Sequence, residues 1–521
     1  MAAMRADGWR RAAAWLALVP CAALAACGTV AGTAAIGDQA GAAGPAAAAP
    51  AGWGLARQVP GTETFSQQAA SNDGQAFAGT GLTSVACSAR GDCAASGGYV
   101  NGGFNFLEFV AAQHTGTWSR AEVAPGDAAL VGAGGVAGSN ELDSGPFLGQ
   151  VSCSSAGNCA LAGNYQDAST SQTVPLVASE RAGVWGKAQP AGGQADALLT
   201  ISCPAAAGNC AAGGSRQPLT DTSGDASVAP KYGAFADTEK GGTWGPAQQI
   251  TGTSEGITTM SCPAAGDCLA GGAGYLAGSG FVFKPVGTAF LVSERNGRWA
   301  TAGPVPRLSR LAGKRASSVG SVSCVAAGDC TAGGSYVDAA GHAQAYVVSE
   351  RGGVWGRAQP VPGLAALNKG ASAGVTQVSC AGPGSCAAGG WYWNMAGRAF
   401  QQAWVASETG GRWGQAEQVP GTHALNKGAG AAVTSVSCVR SECAAGGWYT
   451  TSRPQRTQAF LITGQHGRWG SAAPVPGLAA LKPGADSLVT SLSCVPSGWC
   501  TAVGTYADET GEIRMFEVSQ R

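Results

Sequence analysis

Gly52-Trp53-Gly54-Leu55-Ala56-Arg57-Gln58-Val59-Pro60-Gly61 is one short strand and a turn, and it has no partner strand before it in the sequence. The same pattern, Gly-x-Trp-Gly-x-Ala-x-x-Val-Pro-Gly in its fullest form, recurs around Trp118, Trp185, Trp244, Trp299, Trp355, Trp413 and Trp469, each time after an apolar strand and a Gly turn. At the other end, Met515-Phe516-Glu517-Val518-Ser519-Gln520-Arg521 is such an apolar strand, and it stops where a Trp strand should follow. The two termini therefore complete one unit. That is the pattern of a ring of repeats sealed by its ends, which leaves only short, protected strand edges.

The interior of each unit is equally regular. Sixteen of the eighteen cysteines fall into eight close pairs, Cys87/Cys93, Cys153/Cys159, Cys203/Cys210, Cys262/Cys268, Cys324/Cys330, Cys380/Cys386, Cys438/Cys443 and Cys494/Cys500, at a period that signals a repeat architecture. An apolar residue stands two positions before every first Cys (Val85, Val151, Ile201, Met260, Val322, Val378, Val436, Leu492), the period-2 signal of a half-buried strand. A turn rich in Gly, Asp, Asn or Ser separates the two cysteines, so each pair brackets a hairpin of strands A and B. A Tyr follows in seven repeats, with Arg216 in its place in the third. Strand C carries one large apolar column, Phe109, Leu176, Phe235, Phe290, Tyr346, Trp404, Phe460 and Phe516, and strand D carries the Trp. Residues 52–521 are thus expected to form an all-β, eight-bladed β-propeller of four antiparallel strands per blade, with the N-terminal strand completing the last blade.

Cysteines five to seven residues apart across a tight hairpin can meet, so eight disulfides are expected, one per blade. Structural zinc needs four converging ligands, which pairs distributed around a ring do not supply; neither a metal nor a cofactor is expected. Residues 1–26, with Arg5, Arg10 and Arg11 ahead of an apolar run to Ala26, read as a secretion signal. Leu24-Ala25-Ala26-Cys27-Gly28 is similar to a bacterial lipobox, and the resemblance implies cleavage before Cys27 and its acylation. Residues 27–51, almost wholly Ala, Gly, Thr and Pro, cannot bury enough apolar surface to order and read as a tether. The expected location is the outer side of the cell membrane, with the lipid at Cys27 as the membrane partner.

The Ser-Val-Ser-Cys hairpins and Gly-x-Trp strands resemble the actinobacterial secreted propeller-repeat proteins over residues 52–521. They are more distantly similar to Asp-box (BNR-like) propellers of the sialidase type, and related repeats are sometimes described as galactose-oxidase- or kelch-like. Ser349-Glu350-Arg351-Gly352-Gly353-Val354-Trp355 is a typical copy of the Asp-box stretch here, and it lacks the Asp. Copper chemistry of the galactose-oxidase kind would need a Tyr cross-linked to an unpaired Cys, whereas these cysteines are paired and most tyrosines hold repeat positions.

A net charge of zero with 12% charged residues argues against a nucleic-acid partner. The four histidines, His114, His342, His423 and His466, stand beside no Ser or Cys nucleophile in the sequence. Glycoside hydrolysis needs two carboxylates at a set separation, but Glu180, Glu294, Glu350 and Glu408 recur in one column, which suggests a structural role. Candidate ligand-binding residues are sought where blades depart from consensus. Trp391, Trp393 and Trp448 are extra indoles on neighbouring blades, suited to stacking on sugar rings or to packing between blades. Lys369, Lys427 and Lys482 repeat in the loops between strand D and the next strand A, suited to an anionic polymer or simply to solvent. Long connections at 126–149 and 217–232 are further places for recognition. These residues suggest a binding module for a glycan, wall polymer or protein; a glycan hydrolase or lyase with a central site, and a structural surface scaffold, are the alternatives.

Overall fold

The computed structural model describes residues 52–65, 80–100, 106–131, 149–167, 173–192, 196–205, 208–216, 233–273, 275–276, 284–285, 287–369, 372–394, 400–428, 430–452, 456–481 and 483–521. The signal segment, Cys27, the tether and Lys482 lie outside them, as do residues 132–148 and 217–232 of the two long connections.

The described residues form eight antiparallel sheets, each ordered A-B-C-D and arranged as an eight-bladed propeller, and one two-stranded ribbon of Tyr275–Leu276 with Lys284–Pro285. Blade 5 is representative, with A at Ser317–Ala326, B at Asp329–Val337 and C at Ala343–Arg351. Its D strand is split into Val354–Trp355 and Gln359–Pro360, both paired with C. Neighbouring A strands pack on one another around the ring, the last (Pro483–Cys494) on the first (Gly81–Ala89). In blade 8, Arg57 and Gln58 pair with Glu517 and Phe516, so the N-terminal strand completes the C-terminal blade as expected.

All eight expected disulfides form, each across the A–B hairpin of one blade. They are Cys87–Cys93, Cys153–Cys159, Cys203–Cys210, Cys262–Cys268, Cys324–Cys330, Cys380–Cys386, Cys438–Cys443 and Cys494–Cys500, with Cα atoms 3.9 to 4.1 Å apart. The second cysteine of each pair lies deep in its blade: Cys93, Cys159, Cys210, Cys268, Cys330, Cys386 and Cys500 are buried, and Cys443 is half-buried. These half-cystines are therefore core residues and not part of a ligand-facing surface. Cys159, for example, packs in a cluster with Ala94 of the preceding blade.

The repeated residues now have physical reasons. The large C-strand residue lies opposite a B-strand Gly in every blade, as Phe109 opposite Gly97 and Phe516 opposite Gly504. A Cβ at Gly97 would stand 2.1 Å from the Gly81 carbonyl and 2.7 Å from the Phe109 ring, so only Gly lets the ring lie flat there. Trp404 takes this position in blade 6, fully buried, with its Nε1 donating to the Gly374 carbonyl at 3.1 Å. Arg216, which replaces the Tyr in blade 3, pairs with the buried Asp196 on strand A at 3.3 Å and lies over the Phe235 ring. In seven blades the Ala three residues after the D-strand Trp donates its N–H to the turn that ends the preceding blade's D strand, as Ala358 to Pro306 and Ala416 to Pro362.

Inner strand edges pose a separate problem, because N–H groups on an unpaired edge must find acceptors. The Ser before each first Cys supplies one. The N–H groups of Cys203, Cys262, Cys324, Cys380, Cys438, Cys494 and Cys87 donate, at 2.9 to 3.0 Å, to Ser152, Ser202, Ser261, Ser323, Ser379, Ser437 and Ser493 of the preceding blade. The ladder runs around the ring with one break, because Ala86 stands where a Ser would accept from Cys153. Ala86→Ser is expected to stabilise the fold by about 1 kcal/mol, the net value of a new hydrogen bond. Denaturant unfolding measures it, and an unchanged midpoint would show that the ladder adds nothing at this junction.

Candidate functional site

Of the three extra indoles read as suited to sugar stacking or to packing between blades, Trp391 and Trp448 belong to the core. Trp391 and Trp448 are 4% and 6% exposed and pack with Ala432 in a row running from blade 6 into blade 7. The half-buried Trp393 and Leu488 flank that row. Trp391 and Trp448 therefore present no open ring face to a sugar; their width fills the space between two blades. Lys369 and Lys427 are exposed on equivalent loops of neighbouring blades. Lys369 sits in a left-handed turn at φ 50°, and the Lys427 Nζ donates to the His423 carbonyl at 3.1 Å. The Asn before each is the structural part of the repeat: Asn368 donates to Gln344 at 2.9 Å and Asn426 contacts Gln402 at 3.3 Å.

The recurring glutamates form a second inter-blade system. Glu180, Glu239, Glu294, Glu350 and Glu408 lie opposite the D-strand Trp in blades 2 to 6 and are nearly fully buried. Each is served by the residue one step beyond this register on the preceding blade. Arg351 meets Glu408 at 2.7 Å, Arg295 meets Glu350 at 4.0 Å and His114 lies 3.9 Å from Glu180, while Arg181 pairs closely with Glu239. Burial pushes Glu180, Glu294 and Glu350 above the usual carboxylate range, and the neighbouring His114, Lys240 and Arg295 pull them back. The structural role suggested by their recurrence is what the geometry gives them.

The column changes in blades 7, 8 and 1. Gln520 and Gln113 keep a polar side chain in blades 8 and 1, whereas Gly464 in blade 7 has none, and Thr409 replaces the cation of blade 6. At this 6–7 junction lies a groove of about 390 Å³ lined by Thr409, Arg412, Glu417, His466, Arg468 and Trp469 among others. Among the described residues, neither arginine makes an ion pair within 4 Å. Trp469 is fixed across the junction by its Nε1 bond to Ser407 at 3.2 Å. Sequence reading passed over these residues because each looks ordinary alone. The available signal was the simultaneous loss, at Thr409 and Gly464, of both members of a recurring pair.

Three buried carboxylates also break the repeat. Glu108 occupies a register held by Ala in most blades, and its Oε2 accepts from the Gly149 N–H of blade 2 at 3.1 Å. Asp127 accepts from the Glu108 N–H at 2.7 Å. Burial, and then the Asp127 charge, push Glu108 well up, while burial pushes Asp127 up to about 7. Asp237, raised by burial to about 6, lies where Val292, Val348, Ile462 and Val518 sit in other blades, and its Oδ1 has no hydrogen-bond partner.

A carboxyl group whose folded pKa is raised binds its proton more tightly when folded. Its favourable contribution is complete at low pH, below the unfolded value, and is lost as pH rises through the folded value near 6. Asp237→Val is therefore expected to stabilise the protein by about 1–3 kcal/mol at pH 8, the cost of an unsatisfied buried polar group, and by less at pH 4. Denaturation at the two pH values tests this, and an equal or negative effect at pH 8 would refute it.

No protein-family model and no curated protein matches the chain. Among solved structures, the Hadza microbial sialidase Hz136 is 12% identical at a TM-score of 0.31, with 84% of this chain and 65% of that one covered. The Penicillium chrysogenum α-L-arabinanase complexed with arabinobiose is 10% identical at 0.33, covering 89% and 98%. The β-propeller domain of the trilobed protease from Pyrococcus furiosus is 7% identical at 0.37, covering 75% and 99%. Likenesses this distant carry no activity to this chain.

Proposed function

We propose that this chain is an extracytoplasmic lipoprotein, anchored through Cys27, whose propeller is a binding module for a glycan, wall polymer or protein. Eight disulfides support an oxidising compartment. The observation that carries the binding reading is the placement of the recurring charges. Glutamates that a hydrolase would direct at substrate instead join blade to blade, giving a stiff scaffold whose variation lies in loops and junctions. The kinship with actinobacterial propeller-repeat proteins and Asp-box propellers, carried by the Cys hairpins and Gly-x-Trp strands, belongs to the same proposal.

A binding screen of the purified protein against glycans and cell-wall polymers tests it. Saturable binding without turnover supports the module. Turnover of a polysaccharide, lost when carboxylates of the central pocket are replaced, would make the chain a carbohydrate-active enzyme; neither result on any probe would leave a structural scaffold. Labelled fatty acid incorporated by the wild type and not by Cys27→Ser tests the anchor.

A further inference from the structure

We propose that the groove between blades 6 and 7 binds the acid group of an anionic glycan or polyol polymer, taken by Arg412, Arg468 and His466 beside the Trp469 ring. The inference deepens the binding-module reading and rests on it.

Its basis is the pattern of the other junctions. From blade 1 to blade 6, each interface holds a buried Glu facing a cationic or imidazole side chain of the preceding blade. At the 6–7 interface Gly464 supplies no carboxylate. Arg412, at the start of strand D in blade 6, and His466 and Arg468, from the C–D turn and the start of strand D in blade 7, line the groove at this junction. These three side chains are exposed, and neither arginine has an acidic partner within 4 Å among the described residues.

Glu417 lines the same groove, so two arginines and one glutamate leave the lining net positive. An oxyanion entering here meets two arginines that no protein carboxylate pairs within 4 Å among the described residues. Arginine suits the task, because its planar fork grips a carboxylate or phosphate in a bidentate manner. The groove's volume is in the range of small-ligand sites. The Trp469 indole offers a surface on which the carbon skeleton next to the acid group can rest.

Isothermal titration of the purified full-length protein decides the matter with three probes: a glucuronic-acid oligosaccharide, a glycerol-phosphate oligomer and an uncharged oligosaccharide of matched length. At least one anionic probe is expected to bind, and the neutral one is not. Preference between the two anions separates a carboxylate source from a phosphodiester source.

Arg412→Ala/Arg468→Ala, both exposed and so compatible with folding, is expected to weaken binding at least about tenfold. Anion binding unchanged in the arginine double variant would overturn the groove assignment and leave the module reading intact. Failure of both anions would also overturn it; only a blank result in the wider glycan and wall-polymer screen as well would remove the module reading.

Discussion

A chain shortened to begin at Thr62 is expected to lose the monomeric folded ring at physiological temperature. The missing segment carries Trp53, Ala56 and Val59, which are 4%, 6% and 0% exposed, and it bonds to three blades at once. Gly54 donates to Ser519 and Val59 to Met515 within blade 8, Ala56 donates to Pro476 of blade 7, and Ala121 of blade 1 donates to Pro60. Burying a Trp and a Val contributes about 4–6 kcal/mol, and hydrogen bonds contribute about 1 kcal/mol each. Their sum approaches the whole stability of a typical domain, about 5–15 kcal/mol.

The truncated chain also exposes Ile513–Ser519 as an open edge, a template for pairing with a second chain. Circular dichroism melting and size-exclusion chromatography measure both effects. Val59→Asp places a charge at the same seam without shortening the chain and is expected to cost about 3–5 kcal/mol. A truncated protein that stays monomeric and melts with the wild type would show that the ring does not depend on this strand. One detail of the seam is peculiar to it: Glu517 stands opposite Arg57 at a register that is apolar in every other blade, from Val110 to Leu461.

The ring was legible in the sequence because each of its requirements is local and repeated eight times. A large apolar residue at one place in strand C, a Cys pair across a hairpin and a Trp after a Gly turn each leave a mark at fixed spacing, and the orphan Trp53 strand shows how the ring closes. What the Ser before each Cys does was not legible. Its partner lies one blade away, about 50 to 65 residues along the chain and 406 residues away at the closure, and nothing in the spacing says which N–H it serves.

The candidate site was harder for a related reason. Trp391 and Trp448 drew attention as large residues at variable positions, yet an indole at a blade interface looks the same in sequence as one on the surface. Only the packing against Ala432 separates the two. The 6–7 junction is marked by column positions that have become small, Thr409 and Gly464, of which only Thr409 lines the groove, and a lost side chain is a weaker sign than a gained one. In an array whose recurring charges are consumed between blades, a junction that lacks its pair is where chemistry remains for a ligand.

Reduction of the eight disulfides is the second large effect expected. Each bridge closes a loop of about seven residues inside one blade, which on the chain-entropy model stabilises the fold by about 2 kcal/mol. The bridges join strands A and B, the innermost pair of each blade, so reduction loosens every blade at the hub and leaves the closing strand untouched. The eight contributions together match or exceed the stability of an ordinary domain. Reduced protein is therefore expected to unfold below physiological temperature, or to melt tens of degrees lower than the oxidised form. A single replacement, Cys438→Ser/Cys443→Ser, is expected to cost about 2 kcal/mol and leave the ring folded, because seven bridges and both inter-blade systems remain. Melting curves with and without reductant, paired with a count of alkylated thiols, measure both. Sixteen free thiols in a protein that still melts with the oxidised form would show that the Ser ladder and the Glu pairs hold the hub unaided, and that the bridges serve resistance to unfolding forces or proteases rather than equilibrium stability.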